Sequence, residues 1–332
     1  MESNKKIYRG VNWNTLNSDY VMIYWEQNIK QFWVDSEYTP SRDIDSWRYL
    51  DPTIKNAYKK ALGGLTMLDT LQSGKGMPSI LTHIKDLQKQ AVLSFMCMME
   101  SIHAKSYSTI FTTVANTDEI NDTFKWVENN KHLQYKASKI DEFYSSIIDN
   151  DNVSLYKALG ASVMLESFLF YSGFFLPLWL CGNGEMVASA DIIKKIIADE
   201  SIHGSYVGLL AQEVYEKLTE SEQNECKEYI YKLLEDLIDN EFKYTDEVYA
   251  EIGLTSDVKT YVKYNANKAL NNLGYDAYYD NIKVNPIVLN GLNTNTTQHD
   301  FFSKKSTNYE KPTEIVYLKD EDFILNYDEI FK

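Results

Sequence analysis

Two copies of a Glu-x-x-His motif carry the chemistry that this sequence makes most visible. The letters ESIH occur at residues 100–103 and again at 200–203, each time in a stretch with helical spacing of apolar residues. Residues three apart lie on one face of a helix, so the two side chains of each motif can bind the same metal ion. Ions of the first transition row accept such a mixture of carboxylate oxygen and imidazole nitrogen. The motifs therefore give four candidate ligands: Glu100, His103, Glu200 and His203.

An acidic residue precedes each motif in a separate apolar stretch. Asp69 follows the letters LTML, and Glu166 lies between VML and SFLF. Burying a lone carboxylate in such surroundings is costly unless a cation balances it. The alternative is that each residue faces solvent on an amphipathic helix. Four carboxylates and two divalent ions balance in charge, so the sequence predicts a dinuclear metal site built by four helices of a bundle.

Tyr107 adds a group that can be oxidised. It lies one turn beyond His103 on the same helical stripe, so its ring is expected to point toward the metal ions. The chain has 25 tyrosines, so coincidence is the alternative. A dinuclear centre that activates oxygen can remove an electron and a proton from a nearby phenol. A lasting phenoxyl radical needs a dry apolar pocket, which the Phe-rich stretch 168–175 can supply.

Composition bounds the class of protein. A chain of 332 residues, 44% of them hydrophobic, can bury a substantial core. The net charge of −15 argues against nucleic-acid binding, since no basic run offsets repulsion from phosphates. The three cysteines have no paired spacing and are interpreted as reduced thiols. No apolar signal core is seen at the N-terminus, and the most membrane-like stretch, 167–181, is too short for a span. We expect a soluble, cytoplasmic protein that binds neither nucleic acid nor membrane.

Helical periodicity dominates the chain, so the predicted fold class is all-α. A Gly-rich break, SGKGMPS at 73–79, is expected to separate the first two of the predicted helices. These helices are placed at about 52–72, 80–114, 119–149, 153–181, 186–218, 221–252 and 255–274. The composition then becomes rich in Asn, Thr and Ser. We interpret residues 1–284 as one helical domain and 285–332 as an extended tail whose apolar end docks on a partner, with a solvated chain end as the alternative.

The sequence resembles the small, radical-generating subunit of class I ribonucleotide reductase, most closely its class Ib form, over nearly the whole chain. The resemblance implies a ferritin-like helical bundle with a dinuclear metal site in the core and an extended C-terminal tail. The motifs that carry it are NIKQFW (28–33), LTMLDT (65–70), MMESIHAKSYSTIF (98–111), LESFLFYSGFFLPL (165–178), IIADESIHGSYVGLL (196–210) and YNANKALNNLG (264–274).

The resemblance also implies a role for each candidate residue. Tyr107 becomes the radical site, and Phe170 and Phe174 become the apolar residues that shield it. Glu100 and Glu200 are placed to bridge the two metal ions. The implied ligands are Asp69, Glu100 and His103 for the ion nearer the tyrosine, and Glu166, Glu200 and His203 for the other.

A route for electrons is implied as well. Trp33 and Asp199 match positions of the family's electron-transfer route together with His103, although Trp33 can alternatively be a simple core residue. Tyr309 resembles the tyrosine that relays the radical to the large subunit, and it competes with Tyr317 and Tyr327 for that role. The acidic and aromatic chain end resembles the segment that anchors to the large subunit.

The function implied is that of the small subunit of a ribonucleoside-diphosphate reductase. A dinuclear manganese or iron centre would oxidise Tyr107, and the radical would pass to a large subunit that converts ribonucleotides to deoxyribonucleotides. A homodimer is implied, as is a flavodoxin-like activator protein if the metal is manganese. Two alternatives share the ligands. A ferritin-like iron-storage protein would not require Tyr107 or Trp33, and a two-metal oxidase of lipids or small ligands would more often carry Glu in place of Asp69.

Overall fold

Helices form the regular structure of residues 7–293, which are the residues described by the computed structural model. No β-strand occurs in that range, so the predicted all-α fold class is confirmed. The helices are α1 (Asp19–Gln31), α2 (Ile44–Tyr49), α3 (Pro52–Leu71), α4 (Met77–His83), α5 (Leu87–Val114), α6 (Thr117–Asn129), α7 (Lys131–Ser145), α8 (Asn152–Met164), α9 (Tyr171–Gly182), α10 (Val187–Tyr215), α11 (Glu220–Tyr249), α12 (Thr255–Asn272) and α13 (Pro286–Asn293). Two short 3₁₀ turns follow α1, at Asp35–Glu37 and Pro40–Asp43. Two π-helical turns, Gln72–Gly76 and Leu165–Leu169, follow α3 and α8 respectively.

Side-chain caps fix where the first two site-bearing helices begin. The Asp51 carboxylate accepts a hydrogen bond from the backbone N–H of Thr53, which α3 itself leaves without a partner. Pro52 takes the first position of α3, where its missing N–H costs nothing. Asp86 caps α5 in the same way, so that helix starts at a defined residue.

Two of the predicted helices are divided in the structure. The stretch 80–114 consists of α4 and α5, because Ile84 is extended and Asp86 starts a new helix. The stretch 119–149 consists of α6 and α7. The side chain of Asn130 accepts hydrogen bonds from the N–H groups two and three residues later, so a new helix starts there.

The break predicted at 73–79 is wrong, because the chain remains helical through these residues. α3 continues through the π turn Gln72–Gly76 directly into α4. Pro78 lies in the first turn of α4, where a missing N–H is tolerated. π turns insert one extra residue into a helix and are frequent at functional sites.

The centre of the protein is enclosed by α3, α5, α10 and the helical run from α8 through α9. α3 packs against α5 and α9, and α10 packs against α8, α9 and α5. The facing side chains are mostly aliphatic and aromatic and are fully buried, as at Leu62, Phe168 and Ile196. These contacts place the predicted ligand-bearing segments around one interior.

The first part of the predicted tail forms a helix on the bundle. α13 packs against α9, with Val288 fully buried. Two glycines allow the backbones to approach closely. A Cβ on Gly182 would lie 2.1 Å from the Ile287 carbonyl oxygen, and one on Gly291 would lie 1.9 Å from the Leu178 carbonyl oxygen. The rest of the predicted tail lies outside the described residues, so the domain boundary at 284/285 stays a prediction.

One helical run among the described residues is long and apolar enough to span a membrane, judged by length and composition alone. It covers Asn152–Gly182, and 94% of its most apolar window is buried inside the protein. Such burial is typical of the core helix of a globular protein.

Candidate metal centre

The six predicted ligands come from four helical segments and meet in the core. α3 contributes Asp69, and the π turn after α8 contributes Glu166. α5 and α10 each contribute one Glu-x-x-His pair, three residues apart on one face. None of the six side chains is exposed to solvent. The structure therefore brings together all the residues that the sequence analysis selected as ligands.

The six side chains form two overlapping groups, each able to hold one ion. Within each group the candidate ligand atoms lie within 4.8 Å of one another. Glu100 and Glu200 belong to both groups, which is the position of bridging carboxylates. The groups are Asp69, Glu100, His103 and Glu200, and Glu100, Glu166, Glu200 and His203.

The chemistry of this cluster fits two cations. Within residues 7–293 the carboxylate oxygens of Asp69, Glu100 and Glu200 are buried without a well-formed hydrogen bond. Two imidazole nitrogens contact them, with His103 Nδ1 3.0 Å from Glu200 Oε1 and His203 Nδ1 2.5 Å from Glu100 Oε1. Several buried carboxylates that face each other are strongly unfavourable unless positive charge balances them. Two divalent ions would satisfy these oxygens and balance their charge. The same holds for three further ligand atoms: Glu166 Oε2, His103 Nδ1 and His203 Nδ1.

The protonation of the cluster shows how strongly these groups depend on one another. Burial, followed by repulsion from Glu100 and Glu200, raises the pKa of Asp69 well above its usual value. Burial and the same two charges also raise the pKa of Glu166. Burial alone would lower the pKa of His103, but the Glu200 carboxylate and its neighbours raise it well above the usual range. Without cations, protons therefore take their place in the cluster.

Tyr107 lies beside the cluster and is completely buried. Burial, and then the charge of Asp69, raise the pKa of its phenol well above the ordinary value. Its hydroxyl approaches the Asp69 carboxylate but has no well-directed hydrogen bond to any described residue. Phe170 and Phe174 are also fully buried, with ring centroids 5.9 Å apart. The phenol is thus kept dry, protonated and next to a predicted ligand.

Trp33, Asp199 and His103 form a connected polar path. The Trp33 indole N–H donates to Asp199 Oδ2 at 2.7 Å, and His103 Nε2 lies 3.0 Å from the same oxygen. The indole and imidazole rings also stack, with centroids 6.0 Å apart. Asp199 thereby holds the ring nitrogen of His103 that faces away from the cluster, leaving Nδ1 for an ion. The arrangement agrees with the predicted route, whose role in electron transfer stays a prediction.

Two glutamines at the centre were missed by sequence reasoning. Gln31 Nε2 donates to Asp199 Oδ1 at 2.5 Å, so both oxygens of that carboxylate are occupied. Gln72 is completely buried and contacts Glu166. Gln31 lies in the NIKQFW motif, so a closer look at that motif could have suggested it. Gln72 gave no signal because it is an ordinary polar residue at the end of the predicted helix 52–72, next to the predicted break. Tyr309 and the docking end of the chain lie outside the described residues.

Comparison with known proteins gives one consistent result. The sequence matches the family described as "Ribonucleotide reductase, small chain" over residues 10–286. It is 51% identical to the beta subunit of ribonucleoside-diphosphate reductase from Bacillus phage SPbeta over 320 residues, 96% of this chain and 97% of the relative. The corresponding subunit of Bacillus subtilis is 50% identical, with the same coverage. The crystal structure of dimanganese(II)-NrdF from Streptococcus sanguinis superimposes with a TM-score of 0.82 at 43% identity, covering 86% of this chain and all of that chain. These likenesses confirm the predicted fold.

Proposed function

The chain belongs to the ribonucleotide reductase small-chain family, and on that basis we propose that it generates a radical on Tyr107 beside two manganese or iron ions held in its core. As the small subunit of a ribonucleoside-diphosphate reductase, it supports the reduction of ribonucleotides to deoxyribonucleotides on a large subunit. One observation supports the radical role above the others. A fully buried phenol lies beside the Asp69 carboxylate, at the edge of a cluster of buried carboxylates and imidazoles that can hold two ions.

Manganese and iron both suit the donor set of four carboxylates and two imidazoles. When bound, and after reaction with an oxygen species, the ions supply the oxidising power that the side chains lack. The relative from Streptococcus sanguinis is named as a dimanganese(II) protein, which favours manganese. For a manganese form we also propose a flavodoxin-like activator as the source of the oxidant.

Tyr107 would give one electron to the oxidised ions and the proton of its hydroxyl to the Asp69 carboxylate beside it, and it would become a neutral phenoxyl radical. Its raised pKa keeps the phenol protonated until that moment, so the proton does not leave before the electron. Because no water reaches the ring, the radical is protected from quenching. The iron-storage and oxidase alternatives do not require this phenol, and the family match favours the reductase over both.

Transfer to the large subunit requires a path out of the core. We assign that path to His103, Asp199 and Trp33, which the two contacts at Asp199 join into one line. Tyr309 would continue it, and residues beyond 309 would anchor the large subunit. We further propose that the protein acts in the cytoplasm as a homodimer, as the family implies. Its three free cysteines are in keeping with a reducing compartment.

Electron paramagnetic resonance of the protein loaded with Fe(II) or Mn(II) and then oxidised tests the central claim. We expect a tyrosyl signal that disappears in Tyr107→Phe while both ions remain bound. Tyr58→Phe is the matched control, because Tyr58 is also a fully buried tyrosine but is not among the residues around the cluster. A signal that persists in Tyr107→Phe, or vanishes equally in Tyr58→Phe, would place the radical elsewhere.

A further inference from the structure

Gln72 is held on three sides next to the metal cluster. Its side-chain NH₂ group donates to Glu166 Oε1 and, at 3.0 Å, to Ser162 Oγ. Its carbonyl oxygen accepts a hydrogen bond from the Tyr144 hydroxyl at 2.7 Å. The side chain is completely buried and is not one of the six candidate ligands.

The neighbours of Gln72 fix which end of the amide faces the carboxylate. An amide turned by half a rotation would place its oxygen against Glu166 Oε1, where two acceptors would repel each other. In the observed orientation the Tyr144 hydroxyl donates to the amide oxygen, and the amide nitrogen donates to Glu166. All the polar contacts agree with one orientation, so the amide acts as a fixed donor.

This contact divides the two oxygens of Glu166. Oε1 is occupied by Gln72, whereas Oε2 has no hydrogen-bond partner in the described chain and lies 3.8 Å from His203 Nδ1. A carboxylate that is hydrogen-bonded at one oxygen presents the other oxygen, with both of its lone pairs, to an ion. If this hydrogen bond were removed, Glu166 could rotate away from this orientation.

The absence of a side chain at Gly76 makes room for the contact between Gln72 and Tyr144. A Cβ on Gly76 would lie 2.1 Å from the Gln72 amide oxygen and 2.7 Å from Tyr144 Cε2. Gly76 closes the π turn that begins with Gln72, and Glu166 lies in the second π turn. The Gln72–Glu166 contact therefore connects the two widened turns, and any larger residue at position 76 would displace it.

We propose that Gln72 is a positioning residue, which holds Glu166 in one orientation, with Oε2 toward the ion, and so sets the affinity of the ion position that Glu166 serves. The proposal rests on the proposed function, because it requires ions in the cluster. Partners that orient a ligand usually change metal affinity by roughly 10–100-fold when they are removed. An effect of that size is expected at one of the two positions, since the Gln72 side chain is hydrogen-bonded to a single candidate ligand, Glu166, which belongs to only one of the two groups.

The test is titration of Mn(II) into the metal-free, full-length protein, with free Mn(II) measured by its electron paramagnetic resonance signal. In Gln72→Met, which keeps the length of the side chain but cannot donate, we expect one position to weaken by about 10–100-fold while the other is retained. Gln88→Met is the matched control. Gln88 is equally buried and also donates from its amide, but to the carbonyl oxygens of Asn12 and Thr15. This control should keep both positions.

A second readout separates positioning from a merely structural role. In the manganese-loaded Gln72→Met protein, a crystal structure should show Glu166 turned away from the orientation that it has in the unaltered protein. Tyr144→Phe, which removes only the hydroxyl that orients the amide, should weaken the same position by a smaller factor.

Unchanged binding in both Gln72→Met and Tyr144→Phe would overturn the proposal, as would an equal loss in Gln88→Met. If the unaltered protein failed to bind two Mn(II) ions, the proposed function itself would be wrong, which is a different outcome from a failure of Gln72 alone.

Discussion

Replacing Asp199 by Asn should weaken metal binding without unfolding the protein. The carboxylate accepts from Gln31 on one oxygen and from Trp33 and His103 on the other. Asn has nearly the same shape and can keep the oxygen that serves Trp33 and His103. Its NH₂ group would face Gln31, whose amide can turn to offer its own oxygen. The main loss is therefore the negative charge behind His103.

The size of the effect follows from that charge. A hydrogen bond to a charged group contributes about 1.5–3 kcal/mol, against about 0.5–1.5 kcal/mol for a neutral one. Losing the charge should then cost His103 roughly 1–2 kcal/mol as a metal ligand, which is about a 5- to 30-fold loss of affinity at 1.4 kcal/mol per factor of ten. This range overlaps the roughly 10–100-fold effect usual for partners that orient a ligand.

Isothermal titration of Mn(II) into the metal-free protein measures this loss directly. Asp191→Asn is the control on the same helix, since its partly exposed carboxylate pairs with Lys194 at 3.2 Å and lies away from the cluster. Its effect on affinity should stay within about 0.5 kcal/mol. Thermal unfolding of both variants checks that they fold. If Asp199→Asn binds Mn(II) as tightly as the unaltered protein, the carboxylate does not prepare His103 for the ion, and the reasoning is refuted.

Two further predictions concern the chain end and the surface. Deleting residues 310–332 should leave metal binding and the Tyr107 signal intact but abolish turnover with the large subunit; unchanged turnover would contradict the docking role. Glu213 accepts hydrogen bonds from Lys89 and Tyr20, which lower its pKa although partial burial opposes them. Because the pKa of Glu213 is lower in the folded protein than the unfolded value of 4.5, its charge stabilises the fold above about pH 4.5. This stabilisation is lost as the pH falls through the folded pKa. Urea unfolding should therefore show that Glu213→Gln is less stable at neutral pH, with the difference shrinking in acid; a difference independent of pH would exclude this origin.

The metal cluster could be predicted because its signal is local. Glu100 and His103 lie three residues apart, and a helix needs no further information to place them on one face. Asp69 and Glu166 were anomalous within their own apolar stretches, so burial beside a cation was the economical interpretation. The helices around them follow from apolar periodicity in the same way.

The residues that orient the ligands could not be predicted, because their signal is not local. Gln31 meets Asp199 across 168 positions of sequence, and Gln72 meets Glu166 across 94. A glutamine is an ordinary helix residue, and nothing in its neighbours marks it as buried. The Gly-rich stretch near Gly76 favoured a break by composition, whereas in the structure that glycine provides space inside a continuous helix. Tertiary packing decides such cases.

The buried run Asn152–Gly182 has a consequence for how the protein is produced. Its apolar surface is covered by α3 and α7 and by α10, α11, α12 and α13, and the last four are synthesised later. Until then a nascent chain presents to its surroundings a segment with the hydropathy of a lipid-spanning helix. Segments of this kind promote aggregation during synthesis. Slow expression at low temperature, or added chaperones, should therefore raise the yield of native protein, and destabilising substitutions in α10 should lead to inclusion bodies.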